Sequence, residues 1–264
     1  MFIGGDADPT LVSGIMESRA MLIRFYDTVD STQTYARALV ERGDRRWGAV
    51  CADTQTAGRG RQGATWHDTP NQSLLVSLIL WDTLLPQPAG ALSAFASLAT
   101  AQALHAHYPN LPPIQLKYPN DLMLLGRKLG GALVEVAEGV AIVGVGVNLA
   151  QRVFPTELES VAISLAQATP MPETVSREER AALIARLRDA LIELLSLWAT
   201  QPDAVHKLWQ ARDTTAGRAY RVLDLPDHPE ALALEVAPDF QLRLRLPSGA
   251  VHATYYVEQA RPTP

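Results

Sequence analysis

A chain of 264 residues, 47% of them apolar, is long enough to bury one substantial core and a second, smaller one. Its formal net charge of −5 excludes a broad nucleic-acid-binding face, because such a face needs a surplus of basic residues to displace counterions from phosphates. No apolar stretch is long enough to span a membrane, and the N-terminus has acidic residues where a signal peptide would have lysine or arginine.

The N-terminal part of the chain predicts a weakly ordered segment followed by a helix. Residues 1–20 are rich in Gly, Asp, Ser and Thr, and no function is assigned to them. The spacing of apolar residues after Ser31 favours a helix that begins at Asp30 or Ser31 as N-cap and ends at Gly43. A capping role is therefore a purely structural explanation for Ser31.

The next elements predict a buried sheet backed by a helix. Residues 48–53 and 73–81 are apolar runs typical of strands, and residues 89–107 are apolar on nearly every side, as in a buried helix. The single cysteine, Cys51, lies in the first of these strands and cannot form an internal disulfide. It fits a small core residue of a protein in a reducing cytoplasm.

A hairpin is predicted in the middle of the chain. Residues 114–118 form a strand that ends at a proline, and a two-residue turn at Gly126-Arg127 joins two further strands, residues 122–125 and 128–136. This arrangement places Lys128 directly after the turn.

Two glycines interrupt the next predicted strand, residues 140–148. Gly144 and Gly146 lack the side chains that stabilise a strand interior. Their presence indicates that something packs close to the backbone there. A bound ligand and a large side chain from a neighbouring element explain them equally well.

The C-terminal part predicts two helices and then a separate β-module. Residues 177–198 form an amphipathic helix capped by Thr174 or Ser176, and a shorter helix covers residues 204–212. Beyond these, short apolar runs alternate with Pro, Asp and Gly turns. The runs are residues 220–223, 231–236, 242–246 and 252–257. We therefore predict a boundary at residue 212, between domains at 21–212 and 213–264.

The segment from Gly58 to Gly63 spells G-x-G-x-x-G, with Arg59 and Arg61 between the glycines. A dinucleotide-binding loop with this motif must lead directly into a helix, but the proline and turn residues that follow leave no room for one. A flexible loop between two strands is predicted instead. Its guanidinium groups and unhindered backbone N–H groups suit a small anionic ligand, and a solvated basic surface turn is the alternative.

Three segments together carry the parts needed for chemistry at a phosphate: the arginine loop, residues 117–121 and residues 127–131. They supply cationic donors, a carboxylate for Mg²⁺ in Asp121, and an amine on rigid β-structure in Lys128. Taken singly, a lysine in the position of Lys128 is more often a solvated hairpin charge, and an aspartate in the position of Asp121 is more often a turn former.

Other site classes find no support in the sequence. It contains no G-x-S-x-G elbow, no phosphate-binding G-x-x-x-x-G-K-[ST] loop and no Cys/His spacing of the zinc kind. We therefore predict no structural transition metal.

Five motifs then follow one another in order between residues 25 and 150. They are Ser31-Thr32-Gln33; Gln55-x-x-Gly58-Arg59-Gly60-Arg61-Gln62-Gly63 with Trp66; Lys117-Tyr118-Pro119-Asn120-Asp121; Arg127-Lys128-Leu129-Gly130-Gly131; and Gly144-Val145-Gly146-Val147-Asn148. As an ordered set they resemble the signature of biotin–protein ligases.

The resemblance implies an α+β fold, with a mixed β-sheet and helices similar to class II aminoacyl-tRNA synthetases, and a small C-terminal Src-homology-3-like β-barrel. It also implies a two-step reaction. Biotin and MgATP give biotinoyl-5′-AMP and pyrophosphate, and a lysine of a biotin carboxyl carrier protein then attacks the mixed anhydride.

The resemblance further implies roles by position. The residues implied for biotin are Ser31, Thr32, Gln33, Gln55, Arg59, Gly60, Arg61 and Lys128. Those implied for ATP or the adenylate are Arg59, Arg61, Trp66, Lys117, Asn120, Asp121 and Asn148. The glycines implied to allow close backbone approach are Gly58, Gly63, Gly131, Gly144 and Gly146. Lys128 and Arg61 are the implied catalytic residues, and Asp121 the implied ligand of the Mg²⁺ that accompanies ATP.

The chain departs from the family pattern at two of these motifs. Gln33 and Tyr118 stand where the family usually has Asn and Trp. Two other functions compete with the resemblance: a lipoate–protein ligase or acyltransferase of the same fold, and a biotin sensor without catalysis. Because few residues precede Ser31, we expect the form without an N-terminal DNA-binding domain. We also expect no nucleic-acid or membrane partner, and either a monomer or a homodimer.

Overall fold

The computed structural model of the protein describes residues 10–11, 21–81 and 89–260. Its larger sheet has eight strands: β1 (Thr10–Leu11), β2 (Leu22–Val29), β3 (Trp47–Gln55), β4 (Ser73–Leu80), β5 (Gln115–Lys117), β6 (Asp121–Leu124), β7 (Arg127–Ala137) and β8 (Val140–Asn148). Their order is β1-β2-β3-β4-β8-β7-β6-β5. Only β2 and β3 pair in parallel, so the sheet is mixed as predicted.

Helix α1 (Thr32–Glu41) connects the two parallel strands and lies where the sequence predicts a helix. The hydroxyl of Ser31 caps it by accepting a hydrogen bond from the amide of Gln33, and Gly43 follows its end with a φ of +63°. The sequence analysis did not predict strand β2. Its buried Ile23 and Phe25 alternate with less buried neighbours, which is the period-two signal of a half-buried strand.

Helices cover both faces of the sheet. Helix α1 packs with Val50, Ile79 and Ile142 on one face. On the opposite face the sheet packs against the predicted buried helix, α2 (Leu92–His107), and against α3 (Arg177–Thr200). All eight residues of β4 are buried as a result. Cys51 is a fully buried core residue, as predicted, and burial raises its pKa to about 12.

The turn between β6 and β7 corrects the sequence analysis by one residue. Leu125 and Gly126, with φ values of +50° and +79°, form the two-residue turn, and Arg127 already pairs with Leu124. The predicted turn at Gly126-Arg127 is wrong because a turn of this kind favours glycine at its second central position. Lys128 is consequently the second residue of a strand.

The C-terminal part begins after helix α4 (Pro202–Gln210). It contains a five-stranded antiparallel sheet of β9 (Ala219–Val222), β10 (Glu230–Val236), β11 (Leu242–Arg245), β12 (Val251–Thr254) and β13 (Val257–Gln259). Its order is β12-β11-β10-β9-β13. The predicted single run at 252–257 is therefore two strands, because the chain leaves β11 at one edge and joins β9 at the other.

The second sheet rests on the end of the first. The phenol of Tyr118 donates to the carbonyl of Phe240, and the phenol of Tyr220 donates to the carbonyl of Tyr118. This contact fixes residues 117–121 against β9 to β13. The boundary at residue 212 stays a prediction, and the weakly ordered segment predicted at 1–20 lies outside the described residues except for β1. No helix in the described ranges has the length and apolar character needed to cross a membrane.

Candidate active site

A cavity of about 690 Å³ opens on the face of the large sheet that also carries α1. Of the residues to which the resemblance implies a role, only Gly58 and Gly63 do not line it. Those that line it are Ser31, Thr32, Gln33, Gln55, Arg59, Gly60, Arg61, Trp66, Lys117, Asn120, Asp121, Lys128, Gly131, Gly144, Gly146 and Asn148. The fold thus brings five separate sequence motifs to one pocket.

The floor of the pocket is a buried polar cluster centred on Ser77. Its hydroxyl lies 2.9 Å from Oγ1 of Thr32 and 2.7 Å from Oε1 of Gln33. The amide nitrogen of Gln33 donates to the carbonyls of Leu133 and Ile142. Both ends of the Gln33 amide are therefore used within the protein. Ser77 was missed by the sequence analysis, although a serine inside the apolar run of β4 was the available signal.

Gln55 stands beside this floor in a fixed orientation. Its side-chain oxygen accepts from the amide of Thr32 at 2.8 Å, and its own backbone amide donates to Asp68. Its side-chain nitrogen makes no hydrogen bond within the described ranges of the chain. That leaves a positioned N–H donor at the pocket.

The two strand glycines accommodate side chains of the protein itself. A Cβ on Gly144 would lie 2.7 Å from Oε1 of Gln33, and one on Gly146 would lie 2.9 Å from the ring of Trp66. Of the two explanations that the sequence left open, the large side chain is the one found. The extra methylene of Gln33, relative to Asn, extends over the bare backbone of Gly144.

Substitution of Gly146 tests this packing. We expect Gly146→Ala to lower the free energy of unfolding by about 1–3 kcal/mol, because the added methyl group overpacks against the Trp66 ring. Urea denaturation measures the loss. Trp66→Leu removes the ring atoms that the methyl group meets, so Gly146→Ala should cost less stability in a Trp66→Leu background than in the parent. An equal or larger cost in that background would contradict the packing account.

The arginine loop folds back on itself as a short hairpin. The amide of Trp66 donates to the carbonyl of Gly58, and the amide of Gly60 donates to the carbonyl of Ala64. Gln62 and Gly63 form its tip with positive φ values of 54° and 75°. The glycines predict a flexible loop, and these hydrogen bonds show it folded as a unit over the pocket.

The two arginines of the loop point to different partners. Arg59 forms an ion pair with Glu135 at 2.6 Å, while Arg61 reaches the carbonyl of Val257 in β13. Burial lowers the pKa of Arg61, and Asp121 and Glu258 oppose that effect. Arg61 is thus a desolvated cation at the boundary of the two sheets.

The carboxylate of Asp121 joins two lysines. One oxygen lies 2.7 Å from Nζ of Lys117 and the other 2.6 Å from Nζ of Lys128. Burial disfavours the charged carboxylate, but the two ammonium groups outweigh burial and hold the pKa of Asp121 below its ordinary value. The Lys128 side chain is 41% exposed at the pocket, whereas Lys117 is only 9% exposed.

The second sheet completes the pocket wall. Gln259 accepts a hydrogen bond from Nζ of Lys117 at 2.6 Å, and Arg218 and Glu258 also line the cavity. The sequence analysis missed all three residues. More than a hundred positions separate Lys117 from Gln259, and no local pattern records such a contact.

Comparison with known proteins shows which family the chain resembles. The model of the biotin/lipoate A/B protein ligase family matches residues 25–151. The biotin–[acetyl-CoA-carboxylase] ligase of Mycobacterium tuberculosis is 33% identical over 203 residues, which cover 76% of this chain and 73% of that protein. The chain belongs to the biotin/lipoate protein ligase family.

Two further relatives define how far the likeness extends. The bifunctional ligase/repressor BirA of Bacillus spizizenii is 34% identical over 154 residues, so the chain spans about half of that protein, 46% of its length. A biotin protein ligase from Aquifex aeolicus, solved in complex with biotin and ATP, has a TM-score of 0.69 at 23% identity over 90% of this chain and 98% of that one. The predicted ligase fold, with its mixed sheet and small C-terminal β-unit, is confirmed.

In this member of the ligase family, each oxygen of Asp121 accepts from one lysine, and the implied role of Asp121 as a Mg²⁺ ligand stays a prediction. Within residues 21–81 and 89–260, no group of three or more His, Cys, Asp or Glu side chains is arranged to hold a metal ion.

Proposed function

We propose that the protein is an ATP-dependent biotin–protein ligase. In the first step, the carboxylate of biotin attacks the α-phosphorus of MgATP, which yields biotinoyl-5′-AMP and pyrophosphate. In the second, the amine of a lysine on a biotin carboxyl carrier protein attacks the acyl carbon and releases AMP. The convergence of Lys128, Lys117 and Arg61 above a hydrogen-bonding floor carries this proposal.

The cations of the pocket would reduce the electrostatic repulsion between the two substrates of the first step. Two anions, a carboxylate and a phosphate, must approach each other, and their repulsion grows in a pocket shielded from water. We assign Lys128 and Arg61 to the meeting point of the two anions as catalytic residues, and the ion pairs of Asp121 hold the two lysines. The attraction of these cations for the substrate would strengthen as negative charge builds up on the oxygens of the pentavalent phosphorus in the transition state.

The floor suits the ureido ring of biotin. A ureido carbonyl accepts hydrogen bonds and its two N–H groups donate them. The free amide nitrogen of Gln55 supplies a donor, and the hydroxyls of Ser31, Thr32 and Ser77 supply acceptors. We assign Gln33 a supporting role, because its amide is occupied by Ser77 and by strand carbonyls.

The loop and the second sheet would protect the intermediate. The mixed anhydride is prone to hydrolysis, so exclusion of water matters until the carrier arrives. Gly60 and Arg61 cover the pocket from one side and β13 from the other. Trp66 and Asn148, with Asn120, line the part that we assign to the adenylate, and Mg²⁺ would enter with ATP. Because ATP is an intracellular substrate, we place the reaction in the cytoplasm.

Pyrophosphate release tests the first step. The purified protein with MgATP and biotin, without a carrier, should release pyrophosphate in proportion to enzyme, whereas lipoate in place of biotin should give none. Release with lipoate alone would assign the chain to lipoate ligation. Tight biotin binding without release would identify a biotin sensor and overturn the ligase proposal.

A further inference from the structure

We propose that Glu135 is a positioning residue that latches the arginine loop over the pocket by holding Arg59. The contact itself rests on geometry alone, whereas its effect on the reaction rests on the proposed function. Glu135 lies on β7, next to the pocket, and none of the motifs includes it. Its carboxylate ties the loop to both β7 and α1.

The carboxylate is built for this role. Oε1 lies 2.6 Å from Nη2 of Arg59, and Oε2 lies 2.8 Å from Nη2 of Arg37 on α1. The Glu135 side chain is only 15% exposed, so the two guanidinium groups replace most of its water. Arg37 holds the carboxylate in place on one side, which leaves the other oxygen directed at the loop.

The loop needs an anchor of this kind. A two-stranded hairpin on its own is marginally stable in water, and this one has few internal hydrogen bonds. The two arginines of the loop therefore have different roles. Arg59 fastens the base of the hairpin to Glu135, and this contact delivers Arg61, two residues further on, to the pocket. Glu135 acts on the reaction through Arg59 and touches no substrate.

Hydrogen exchange in the ligand-free protein tests the latch without reference to activity. The reporters are the amides of Gly60, Ala64 and Trp66, each of which is hydrogen-bonded within the loop. We expect Glu135→Gln and Arg59→Gln each to speed their exchange by about three- to tenfold, and the double variant to be no faster than either. Glu235→Gln, which breaks the similar ion pair to Arg243 on β10 and β11, is the control and should change nothing.

Parental exchange rates in Glu135→Gln, or effects that add in the double variant, would overturn the latch. The consequence is measured separately, as the rate at which biotinoyl-5′-AMP leaves the enzyme. Glu135→Gln should release it about three- to tenfold faster and should also slow first-turnover adenylation, because Arg61 is then held less firmly at the pocket, and Glu235→Gln should match the parent. If the parent forms no adenylate, the proposed function fails, while the exchange data still decide the latch.

Discussion

Lys128→Ala is expected to slow biotinoyl-adenylate formation by about 10²–10³-fold, the usual effect of removing one charged or hydrogen-bonding group that stabilises a transition state. Lys128 is the more exposed cation of the pair that flanks Asp121, so its ammonium group can contact substrates in the pocket while Asp121 holds it in place. Biotin affinity should change less, because the floor that we assign to the ureido ring is untouched. Single-turnover pyrophosphate release and calorimetric biotin titration measure the two effects.

Two companion variants make the Lys128 result specific. Lys128→Arg keeps the positive charge and should retain more adenylation than Lys128→Ala, although the guanidinium differs in shape. Lys207→Ala, on the exposed side of α4, should behave like the parent. Equal adenylation rates in Lys128→Ala and the parent would refute the catalytic role of Lys128.

Asp121→Ala is expected to give the largest loss of stability among these variants, about 3–5 kcal/mol in the free energy of unfolding. The carboxylate is buried between two lysines, and its removal leaves Lys117 almost fully buried without its ionic partner. Urea denaturation at neutral pH measures the change. Asp44→Asn, which breaks an exposed ion pair with Arg46, should leave the midpoint unchanged. A similar midpoint in Asp121→Ala and the parent would contradict the account of this cluster.

The same carboxylate sets an acid limit on stability. Its folded-state pKa lies below the ordinary value of 3.8, so its ionised form stabilises the protein above that value. This contribution is lost as the pH falls through the folded-state pKa. Denaturation curves should therefore show a shallower decline below pH 4 in Asp121→Ala than in the parent. Parallel declines in both proteins would assign the acid sensitivity to other groups.

Local patterns in the sequence were enough to predict most elements and the motifs that line the pocket. The cap at Ser31, the strand at 140–148 and the long helix from Arg177 follow from hydrogen-bonding side chains and from the period of apolar residues. The turn at Leu125 was misplaced by one residue, because either neighbour of Gly126 can complete a two-residue turn until the strand register is known.

Contacts between distant segments were beyond such patterns. The sequence shows Ser77 only as a serine within an apolar strand, and only the fold shows that it contacts Gln33. The roles of Gln259 and Glu135 likewise could not be predicted from the sequence, because they depend on tertiary contacts with Lys117 and Arg59. The resemblance to the family located the motifs, but the partners that hold those motifs in place required the structure.

The departure at Gln33 also has a structural explanation. A longer amide than the family's Asn needs space above β8, and Gly144 provides it. In return, the amide links the first turn of α1 to β7 and β8 through the carbonyls of Leu133 and Ile142. The residue thus supports the pocket floor from beneath.

Transfer of biotin to a carrier tests the central claim most directly. A biotin carboxyl carrier domain is incubated with the protein, biotin and MgATP, and its intact mass is recorded. We predict the gain of one biotinyl group on one lysine, dependent on all three additions and lost when Lys128→Ala replaces the parent protein. An unmodified carrier, under conditions in which an established biotin ligase modifies the same sample, would contradict the claim.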